Sequence, residues 1–293
     1  MQKSGWLCLD KPSGISSNQA MVKVRRILDF KTGYIGTLDP FATGVLPIAV
    51  GEARKYIRFI EKSEKKYTFT AVFGKSTDTL DKSGKIIDAT ERIPSKMEIT
   101  KILPEFLGEI EQIPPLFSAI KINGRRSCDL VRQGKSVTLR SKKVKILDLK
   151  MIDGGEWTFE VVCSSGTYIR SLVRDIAEKL GSLAYVKELR RTRSGFFSIK
   201  DAISLAKLQK MKDTSELVDV LISVESPLDD IPALYLGKED VTRLKNGLLI
   251  FVENSTIVDS NVRIVDGDCG KFCGIGFVSS SWQVKPVRMC ASD

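Results

Sequence analysis

Short segments in which apolar and polar residues alternate recur along the chain, and this period of two is typical of half-buried β-strands. Lys66–Phe73 is the clearest of these segments, because its apolar side chains share one face: Tyr67, Phe69, Ala71 and Phe73. Further strands are predicted at Trp6–Leu9, Val45–Val50, Val144–Leu149, Trp157–Cys163, Leu248–Val252, Asn261–Val265 and Lys271–Val278.

Apolar residues three and four positions apart predict helices elsewhere. Ser16 and Gln19 have the spacing of a capping box before the first helix. Thr167 is predicted to cap another helix, which ends at Gly181 and carries Arg170 on the face opposite its apolar side. Two shorter helical segments are predicted, at Glu98–Leu107 with an interruption at Pro104, and at Leu183–Arg190.

Two segments without regular periodicity divide the chain. Gln112–Lys143 is long and basic, which indicates an insertion that contacts a partner. Ser223–Pro232 is polar and indicates a domain boundary. We therefore expect a large domain over residues 1–230, with the insertion at about 112–143, and a small β-rich domain over residues 231–293.

The composition is typical of a soluble globular protein, since 42% of the 293 residues are hydrophobic and 28% are charged. No apolar run is long enough to span a bilayer, and the N-terminus lacks the pattern of a secretory signal. We therefore expect a cytoplasmic protein without membrane contact, in which the six cysteines stay reduced.

The net charge of +10 is concentrated in two stretches. Lys121–Lys150 contains ten lysines and arginines against two aspartates, and Ser165–Arg193 contains seven against three acidic residues. Dense basic clusters of this kind are typical of contact with a phosphate backbone. The sequence therefore favours RNA or DNA binding over a basic surface that is merely solvated.

The absence of histidine excludes Ser-His-Asp and Cys-His catalysis and every metal site that needs a histidine ligand. Cys269 and Cys273 have no second close pair of cysteines to complete a zinc site. Gly74-Lys75-Ser76 has the end of a phosphate-binding loop, but Phe69 stands where that loop needs its first glycine. The sequence therefore predicts neither a metal nor a nucleotide cofactor.

One carboxylate, Asp39, lies between two apolar segments in the glycine- and proline-containing stretch Gly36–Pro47. A residue that precedes proline is pushed out of the helical region, so Pro40 restricts the backbone of Asp39. Gly36 and Gly44 permit turn geometry at either end. By pattern alone, this stretch is compatible both with a reactive carboxylate on a rigid turn and with an ordinary surface turn.

A set of segments in a fixed order along the chain resembles the TruB-type tRNA pseudouridine synthases, which isomerise a uridine in the TΨC loop of tRNA. The matching segments are Asp10–Ser17, Gly33–Pro47, Gly51–Ala53, Lys66–Tyr67, Gly74–Thr79, Gln112–Pro115, Ser165–Leu172 and Leu189–Thr192. A weaker match, at Gly274–Gly276 and Pro286–Arg288, resembles the small RNA-contacting domain that ends these enzymes.

The resemblance implies an α+β fold, the pseudouridine synthase fold, in which helices flank a mixed, mainly antiparallel sheet. It further implies that a uridine at position 55, in the T arm of tRNA, is flipped out and converted to pseudouridine. This reaction changes no oxidation state and imports no group, so no cofactor and no metal are expected. We also expect a monomer.

By the same resemblance, Asp39 is the nucleophile, and Arg170 orients it and keeps it ionised although burial would raise its pKa. Tyr67 is expected to stack on the extruded uracil, and Leu189 to form an apolar wall of its pocket. By pattern alone, both residues are also compatible with core packing. The other residues expected to bind substrate are Tyr168, Tyr34 and Lys11.

The chain departs from the family pattern at two positions. Tyr34 stands where the family often has histidine, and Cys128 stands where an aromatic residue is common in the insertion. Tyrosine can stack and donate a hydrogen bond, but it carries no positive charge near neutral pH. The two changes therefore concern the docking of the RNA loop and leave the reactive carboxylate unchanged.

Three alternative hypotheses remain open at the level of sequence. The first is a non-catalytic RNA-binding or RNA-folding protein on the same scaffold. The second is a guide-RNA-dependent synthase resembling dyskerin. The third is a metal-dependent nuclease that uses Asp78 and Asp81, although their turn-like surroundings indicate solvated or backbone-bonded carboxylates.

Overall fold

The computed structural model describes residues 4–153, 155, 157–212, 217, 219–253 and 255–290. The strands are β1 Gly5–Lys11, β2 Thr32–Tyr34, β3 Thr43–Val50, β4 Lys65–Phe73, β5 Lys75–Thr77, β6 Ile86–Ala89, β7 Gly108–Gln112, β8 Lys121–Ile122, β9 Arg125–Arg126, β10 Lys142–Met151, β11 Thr158–Cys163, β12 Ala184–Ser194, β13 Phe197–Ser198, β14 Ile203–Ser204, β15 Ala233–Leu236, β16 Ile250–Phe251, β17 Ser260–Asp266, β18 Phe272–Val278 and β19 Gln283–Met289. The α-helices are α1 Ser17–Leu28, α2 Ile57–Ile60, α3 Lys96–Ile102, α4 Ser127–Arg132, α5 Ile169–Lys179, α6 Leu205–Lys210 and α7 Lys238–Lys245.

The large sheet has the strand order β14-β1-β3-β12-β4-β11-β10-β7, and β2 and β13 pair with β3 and β12 beside this path. The pairs β1–β14 and β3–β12 are parallel, and the other pairs of this sheet are antiparallel. The expected mixed, mainly antiparallel sheet is therefore confirmed.

Helices α1 and α5 supply apolar residues to the core on one face of this sheet, among them Val24 and Leu172. On the other face, Trp6 and Ala49 pack with Tyr56 and with Ile275 of the C-terminal sheet. The large sheet is thus the middle layer of the described fold, which is the α+β arrangement expected.

Two helical predictions need correction. Leu183–Arg190 is not a helix, because the chain there forms β12 between β3 and β4. Thr167 is not a cap: α5 begins after Tyr168 without a side-chain cap, and the Thr167 hydroxyl donates to the Ser164 carbonyl at 2.9 Å.

Other predicted helix features are confirmed. The Ser16–Gln19 capping box is present before α1, with the Ser16 hydroxyl accepting from the Gln19 amide at 3.1 Å. At Gly181, just after α5, the backbone takes the left-handed conformation, with φ of +65°. The helical part of Glu98–Leu107 divides at Leu103 into α3 and a 3₁₀ turn that contains Pro104.

The C-terminal sheet has the order β15-β17-β18-β19-β16 and confirms the small β-rich unit expected there. The strand predicted over Leu248–Val252 is shorter, since β16 covers Ile250–Phe251. The rings of Tyr56 and Phe272 meet edge to face at 5.5 Å between centroids, so this sheet packs directly on the large one. The exact division at residue 230 stays a prediction.

Among the described residues, no helix combines the length and the apolar character needed to cross a membrane.

Candidate active site

The loop that carries Asp39 joins β2 to β3, and hydrogen bonds hold it against the N-terminal part of the chain. The buried Ser17 hydroxyl accepts from the Leu38 amide at 2.8 Å and donates to the Leu38 carbonyl at 2.9 Å. The Gly14 amide donates to the Pro40 carbonyl at 2.8 Å. Since both neighbours of Asp39 are held in this way, its carboxylate projects from a backbone with little freedom to move.

Asp39 and Arg170 form a two-point ion pair. Arg170 Nε lies 2.9 Å from Asp39 Oδ2, and Arg170 Nη2 donates to Asp39 Oδ1 at 3.1 Å. The Arg170 side chain is only 3% exposed, whereas that of Asp39 is 31% exposed. The guanidinium is therefore a buried support, and the carboxylate remains accessible to a ligand.

Arg170 makes further contacts that fix its position. Nη1 donates to the Thr79 carbonyl at 2.8 Å, and Nη2 donates to the Phe117 carbonyl at 3.0 Å. Nη1 also lies 3.4 Å from Asp81 Oδ2. One planar guanidinium thus links the Asp39 loop to two other segments, which an ammonium group with a single nitrogen could not do in this geometry.

The sequence placed Arg170 with Arg174 on the helix face opposite the apolar side, and the structure shows that Arg170 on this face is nevertheless buried. Arg170 lies in the first turn of α5, where the Thr79 and Phe117 segments cover the end of the helix. Arg174 donates to the Asp175 carboxylate and lies 3.8 Å from that of Glu178. Helical periodicity alone cannot reveal a helix end that other segments cover.

The charge state of Asp39 is set by opposing effects. Burial raises the pKa of the Asp39 carboxyl above its ordinary value, and the nearby Asp81 carboxylate adds to that rise. The Arg170 guanidinium opposes the rise through its charge and its hydrogen bond, and the Lys11 ammonium opposes it more weakly. Ionisation of Asp39 therefore depends mainly on Arg170.

Asp81 is a residue whose part in this cluster the sequence did not reveal. It is 5% exposed, and its carboxylate accepts from the Ser83 amide at 2.8 Å and from the Thr79 hydroxyl at 3.0 Å. Of the two surroundings expected for it, solvated or backbone-bonded, the structure shows the second. The sequence signal that could have pointed to Asp81 is its position just after Gly74–Thr79, one of the segments that resemble the family.

The nuclease alternative receives no support from this geometry. Asp78 accepts from the Lys85 amide at 2.9 Å, and Asp81 faces Arg170. In the part of the chain that the structure describes, no three carboxylate, cysteine or histidine groups cluster in a way that could hold a metal ion.

Tyr67 and Tyr168 both lie within the electrostatic reach of Asp39. Burial raises the pKa of each phenol, and the negative charge of Asp39 raises it further. Tyr67 lies on β4 and is 8% exposed, whereas Tyr168 immediately precedes α5 and donates its amide to Gln112 Oε1 at 2.7 Å. The structure therefore places Tyr168 two residues before Arg170, and Tyr67 on β4 next to β12.

Lys11 is fully buried beneath the Asp39 loop. Its ammonium donates to the carbonyls of Pro12 and Ile15 at 2.8 Å each, and to that of Pro40 at 3.4 Å. Burial lowers the pKa of Lys11 to about 8, although the charge of Asp39 opposes this. These contacts place the ammonium on the loop backbone rather than at an open surface.

Leu189 lies on β12 opposite Phe69 of β4 and is 7% exposed. It lines a cavity of about 360 Å³ together with Phe41 and Thr43 from the far end of the Asp39 loop. Tyr34, at the end of β2, is half-buried and packs against the core. Leu189 therefore adjoins the loop through this cavity, whereas no described contact joins Tyr34 to Asp39.

The predicted insertion forms the β8–β9 hairpin followed by α4, between β7 and β10. Lys121, Arg125 and Arg126 of the hairpin are exposed. Cys128 in α4 is partly exposed, and its amide donates to the Ser118 carbonyl at 3.2 Å. The hairpin presents basic side chains to solvent near Phe117, whose carbonyl contacts Arg170.

Solved structures establish the class of fold. The whole chain aligns with 84% of a chain in the crystal structure of a Cbf5-Nop10-Gar1 complex, with a TM-score of 0.73 and 24% sequence identity. It also aligns with 85% of a chain in the structure of an H/ACA RNP bound to a substrate RNA containing 2'-deoxyuridine, with a TM-score of 0.73. The fold of this chain is therefore the one that these ribonucleoprotein structures contain.

Sequence comparison gives the family. Residues 21–169 match the TruB family pseudouridylate synthase N-terminal domain, and residues 170–229 match the tRNA pseudouridylate synthase B C-terminal domain. The tRNA pseudouridine synthase B of Caulobacter vibrioides is 43% identical over 90% of this chain and 87% of the relative. That of Zymomonas mobilis is 44% identical over 83% of each chain. The chain belongs to the TruB family of tRNA pseudouridine synthases.

The two kinds of comparison differ in what they show. The likeness to the solved structure at 24% identity shows the fold alone, whereas the tRNA pseudouridine synthases match at 43% and 44% identity and show the family. The resemblance drawn from the sequence motifs is thus confirmed.

Proposed function

We propose that this chain converts the uridine at position 55 in the T arm of tRNA to pseudouridine, with Asp39 as the nucleophile. Its family makes it a tRNA pseudouridine synthase, which is an isomerase. The observation that carries the proposed role of Asp39 is its geometry: an accessible carboxylate paired at two points with a buried guanidinium.

The reaction breaks the bond between N1 of uracil and C1′ of ribose, rotates the base, and forms a bond between C5 and C1′. C5 loses a proton and N1 gains one, so the atoms balance without any added group. A carboxylate can stabilise or attack the electron-poor centre that forms when the first bond breaks. Arg170 supports this role because its charge and its hydrogen bond favour the ionised form of Asp39 and oppose the rise in pKa that burial causes.

The target uridine must leave its loop to reach Asp39, and extrusion of a base costs a few kcal/mol. We propose that Tyr67 and Tyr168 receive the extruded base, and that Leu189 closes the apolar side of the pocket. Stacking on an aromatic ring contributes about 1–3 kcal/mol per base, which offsets part of the cost of extrusion. This placement is supported by the position of Tyr168 two residues before Arg170, and by that of Tyr67 on β4, beside the strand that carries Leu189.

The contacts of Lys11 support a positioning role beneath the loop in place of direct substrate contact. For Tyr34, we propose a contact with the RNA at the rim of the site. Phosphate groups of the T arm would meet the exposed hairpin residues Arg125 and Arg126, since folded RNA is recognised mainly by its shape and backbone. We further propose that the chain acts as a monomer in the cytoplasm.

The proposal is tested by mapping the product on defined RNAs. The purified chain is incubated with an unmodified tRNA transcript and, separately, with a T-arm hairpin and an anticodon-arm hairpin. We expect one pseudouridine, at position 55 of the transcript and at the same uridine of the T-arm hairpin. Modification of the anticodon-arm hairpin, or of another position in the transcript, would contradict the assigned site.

A further inference from the structure

Arg191, on β12, is a buried arginine without a carboxylate partner among the described residues. Its side chain is fully enclosed, at 1% exposure. The neighbouring arginines have ordinary partners, since Arg190 pairs with Asp10 at 2.8 Å and Arg193 lies 3.7 Å from Glu64. A buried guanidinium without a counter-ion is costly, so its position calls for other strong hydrogen-bond acceptors.

Those acceptors are carbonyl groups on the two sides of Asp39, one in its loop and one near the start of β3. Arg191 Nε donates to the Val45 carbonyl at 2.7 Å, and Nη2 donates to the Gly36 carbonyl at 2.9 Å. Gly36 precedes Asp39 and Val45 follows it, so one planar group holds the chain on both sides of Asp39. Because guanidinium nitrogens have fixed relative positions, this contact sets the width of the loop at its base.

The backbone of Arg191 lies equally close to the loop. Arg191 pairs with Gly44 of β3, where a Cβ atom would stand 2.2 Å from the Arg191 carbonyl oxygen. A Cβ atom on Gly36 would stand 3.1 Å from Arg191 Nη1. Both glycines, which have positive φ angles, thus permit the approach of this one residue.

The same residue also lies beside Tyr67. Arg191 and Tyr67 stand opposite each other in the β12–β4 ladder, so their side chains share one face of the sheet. The charge of Arg191 opposes the rise in the pKa of that phenol caused by burial. Arg191 is therefore joined to the loop of the proposed nucleophile and to the proposed stacking residue at once.

We propose that Arg191 is a positioning residue for the isomerisation: its guanidinium holds the two sides of the Asp39 loop next to Tyr67, its neighbour in the sheet, and so sets the space in which the uridine reacts. This inference rests on the proposed function, because it assigns Arg191 to the same site. It does not make Arg191 a substrate contact, since the side chain is enclosed.

Arg191→Lys tests the proposal, because lysine keeps the charge but cannot span both carbonyls with fixed geometry. We expect the single-turnover rate of pseudouridine formation to fall about 100-fold, as is typical of a small misplacement of reacting groups, while the Kd for tRNA stays within about twofold. The midpoint of thermal unfolding and the circular dichroism spectrum give the folded fraction, by which the rate is corrected.

Arg263→Lys is the matched control. Arg263 lies on β17 in the C-terminal sheet, its side chain is 16% exposed, and its Nε donates to the Ile231 carbonyl at 2.8 Å. This variant loses an arginine-to-carbonyl contact in a sheet other than the one that carries the Asp39 loop, and it also alters the pairs that Arg263 forms with Glu225 at 2.7 Å and Asp229 at 2.9 Å. We expect it to lower the unfolding midpoint and to leave the single-turnover rate unchanged.

Gly36→Ala disturbs the contact between Gly36 and Arg191 while it leaves Arg191 unchanged. The test therefore does not depend on whether the Arg191→Lys protein folds. The methyl group of this alanine would press on Arg191 Nη1, and we expect the rate to fall about tenfold. Alanine is also strained at the positive φ of Gly36, so this variant disturbs the Asp39 loop in its own right. A folded Arg191→Lys protein with the wild-type rate, or a folded Gly36→Ala protein with the wild-type rate, would overturn the proposal.

These outcomes are distinct from a failure of the proposed function. If the unaltered chain forms no pseudouridine in tRNA, the proposed function is wrong. If the unaltered chain is active and Arg191→Lys is equally active, only the positioning role is wrong.

Discussion

At the scale of single residues, the site depends on one carboxylate whose ionisation is opposed by burial and supported by a guanidinium. Asp39 is accessible enough to meet a ligand, and Arg170 behind it is almost fully enclosed. The family motifs led to this pairing, and the structure places the two side chains in contact. Their roles in the reaction stay predictions.

Replacement of Arg170 by lysine should separate catalysis from binding. A lysine keeps one positive charge, but it cannot make the two-point contact with Asp39 and also reach the Thr79 and Phe117 carbonyls. We expect the single-turnover rate to fall by about 100-fold or more, with the Kd for tRNA within about threefold of the original. A lysine variant with the full rate would exclude the pairing as a catalytic requirement.

The pH dependence of the same variant gives a second readout. Asp39 must be ionised, and burial raises its pKa above the ordinary value of 3.8, so activity should be lost at acid pH from a point above that value. A weaker partner at position 170 opposes less of the rise in the pKa of Asp39, so that pKa should be higher in the variant. The acid limb of the rate profile should therefore move to higher pH in Arg170→Lys.

The burial of single residues is what the sequence did not show. Asp81 lies in a turn with serine, threonine and glycine, a pattern shared by solvated aspartates, yet it is enclosed beside Arg170. Lys11 has the pattern of an exposed lysine before a Pro-Ser-Gly turn, yet its ammonium is bound to three carbonyls. The burial of Asp81 and of Lys11 depends on distant segments that pack over them, and the local sequence does not show those segments.

At the scale of the element, the loop from β2 to β3 is held by its neighbours more than by its own turn chemistry. The glycine and proline pattern of the loop predicted a turn. The hydrogen-bond donors and acceptors that hold the loop, however, come from β1, α1 and β12. These contacts join residues far apart in sequence. No local pattern predicts them.

Ser17→Ala should loosen this loop. The buried hydroxyl serves both the amide and the carbonyl of Leu38, so its loss leaves two buried polar groups without a partner, at a cost of about 1–3 kcal/mol in the free energy of unfolding. Since Leu38 precedes Asp39, we expect the single-turnover rate to fall about tenfold as well. Denaturant titration and rapid-quench kinetics measure the two effects.

Ser95→Ala is the control for this prediction. Ser95 caps α3, with its hydroxyl accepting from the Glu98 amide at 3.2 Å. Its loss should cost about 1 kcal/mol of stability without a change in rate. Equal rates in the two serine variants would mean that the Leu38 contact does not position Asp39.

The segment Leu183–Arg190 was predicted to be a helix, and its strand conformation shows that local sequence did not determine its secondary structure. The segment contains alanine, leucine, lysine, glutamate and arginine, which all favour helices in isolation. It nevertheless forms the strand between β3 and β4, with a register irregularity between Val186 and Glu188 that interrupts a period of two. Tertiary pairing here outweighs local propensity.

At the scale of the whole molecule, the layered fold positions the candidate site, and the basic surface is proposed to bind the RNA. The large sheet and its helices hold the site, and the basic hairpin β8–β9 projects exposed arginines from its edge. Net charge and its clustering could be read from the sequence, as could the β-rich C-terminal unit. The packing of that unit against Trp6 and Tyr56 could not.

Affinity for tRNA should fall steeply with salt, because bound cations are released from phosphates as basic side chains replace them. Replacing Arg125 and Arg126 by glutamine should reduce the slope of log Kd against log salt by about one per arginine. Replacing the exposed Lys96 and Lys101 of α3 is the matched control and should leave the slope unchanged. Equal slopes for both pairs would exclude the hairpin as a phosphate contact.

The most direct test of the central claim is the single-turnover rate of Asp39→Asn, measured beside its affinity for tRNA. Asparagine keeps the shape of the side chain and can still accept from Arg170, so the fold and the RNA contacts should persist. We expect the rate to fall by at least about 10³-fold while the Kd stays within about threefold. A folded Asp39→Asn protein that forms pseudouridine at the original rate would contradict the assignment of Asp39 as the nucleophile.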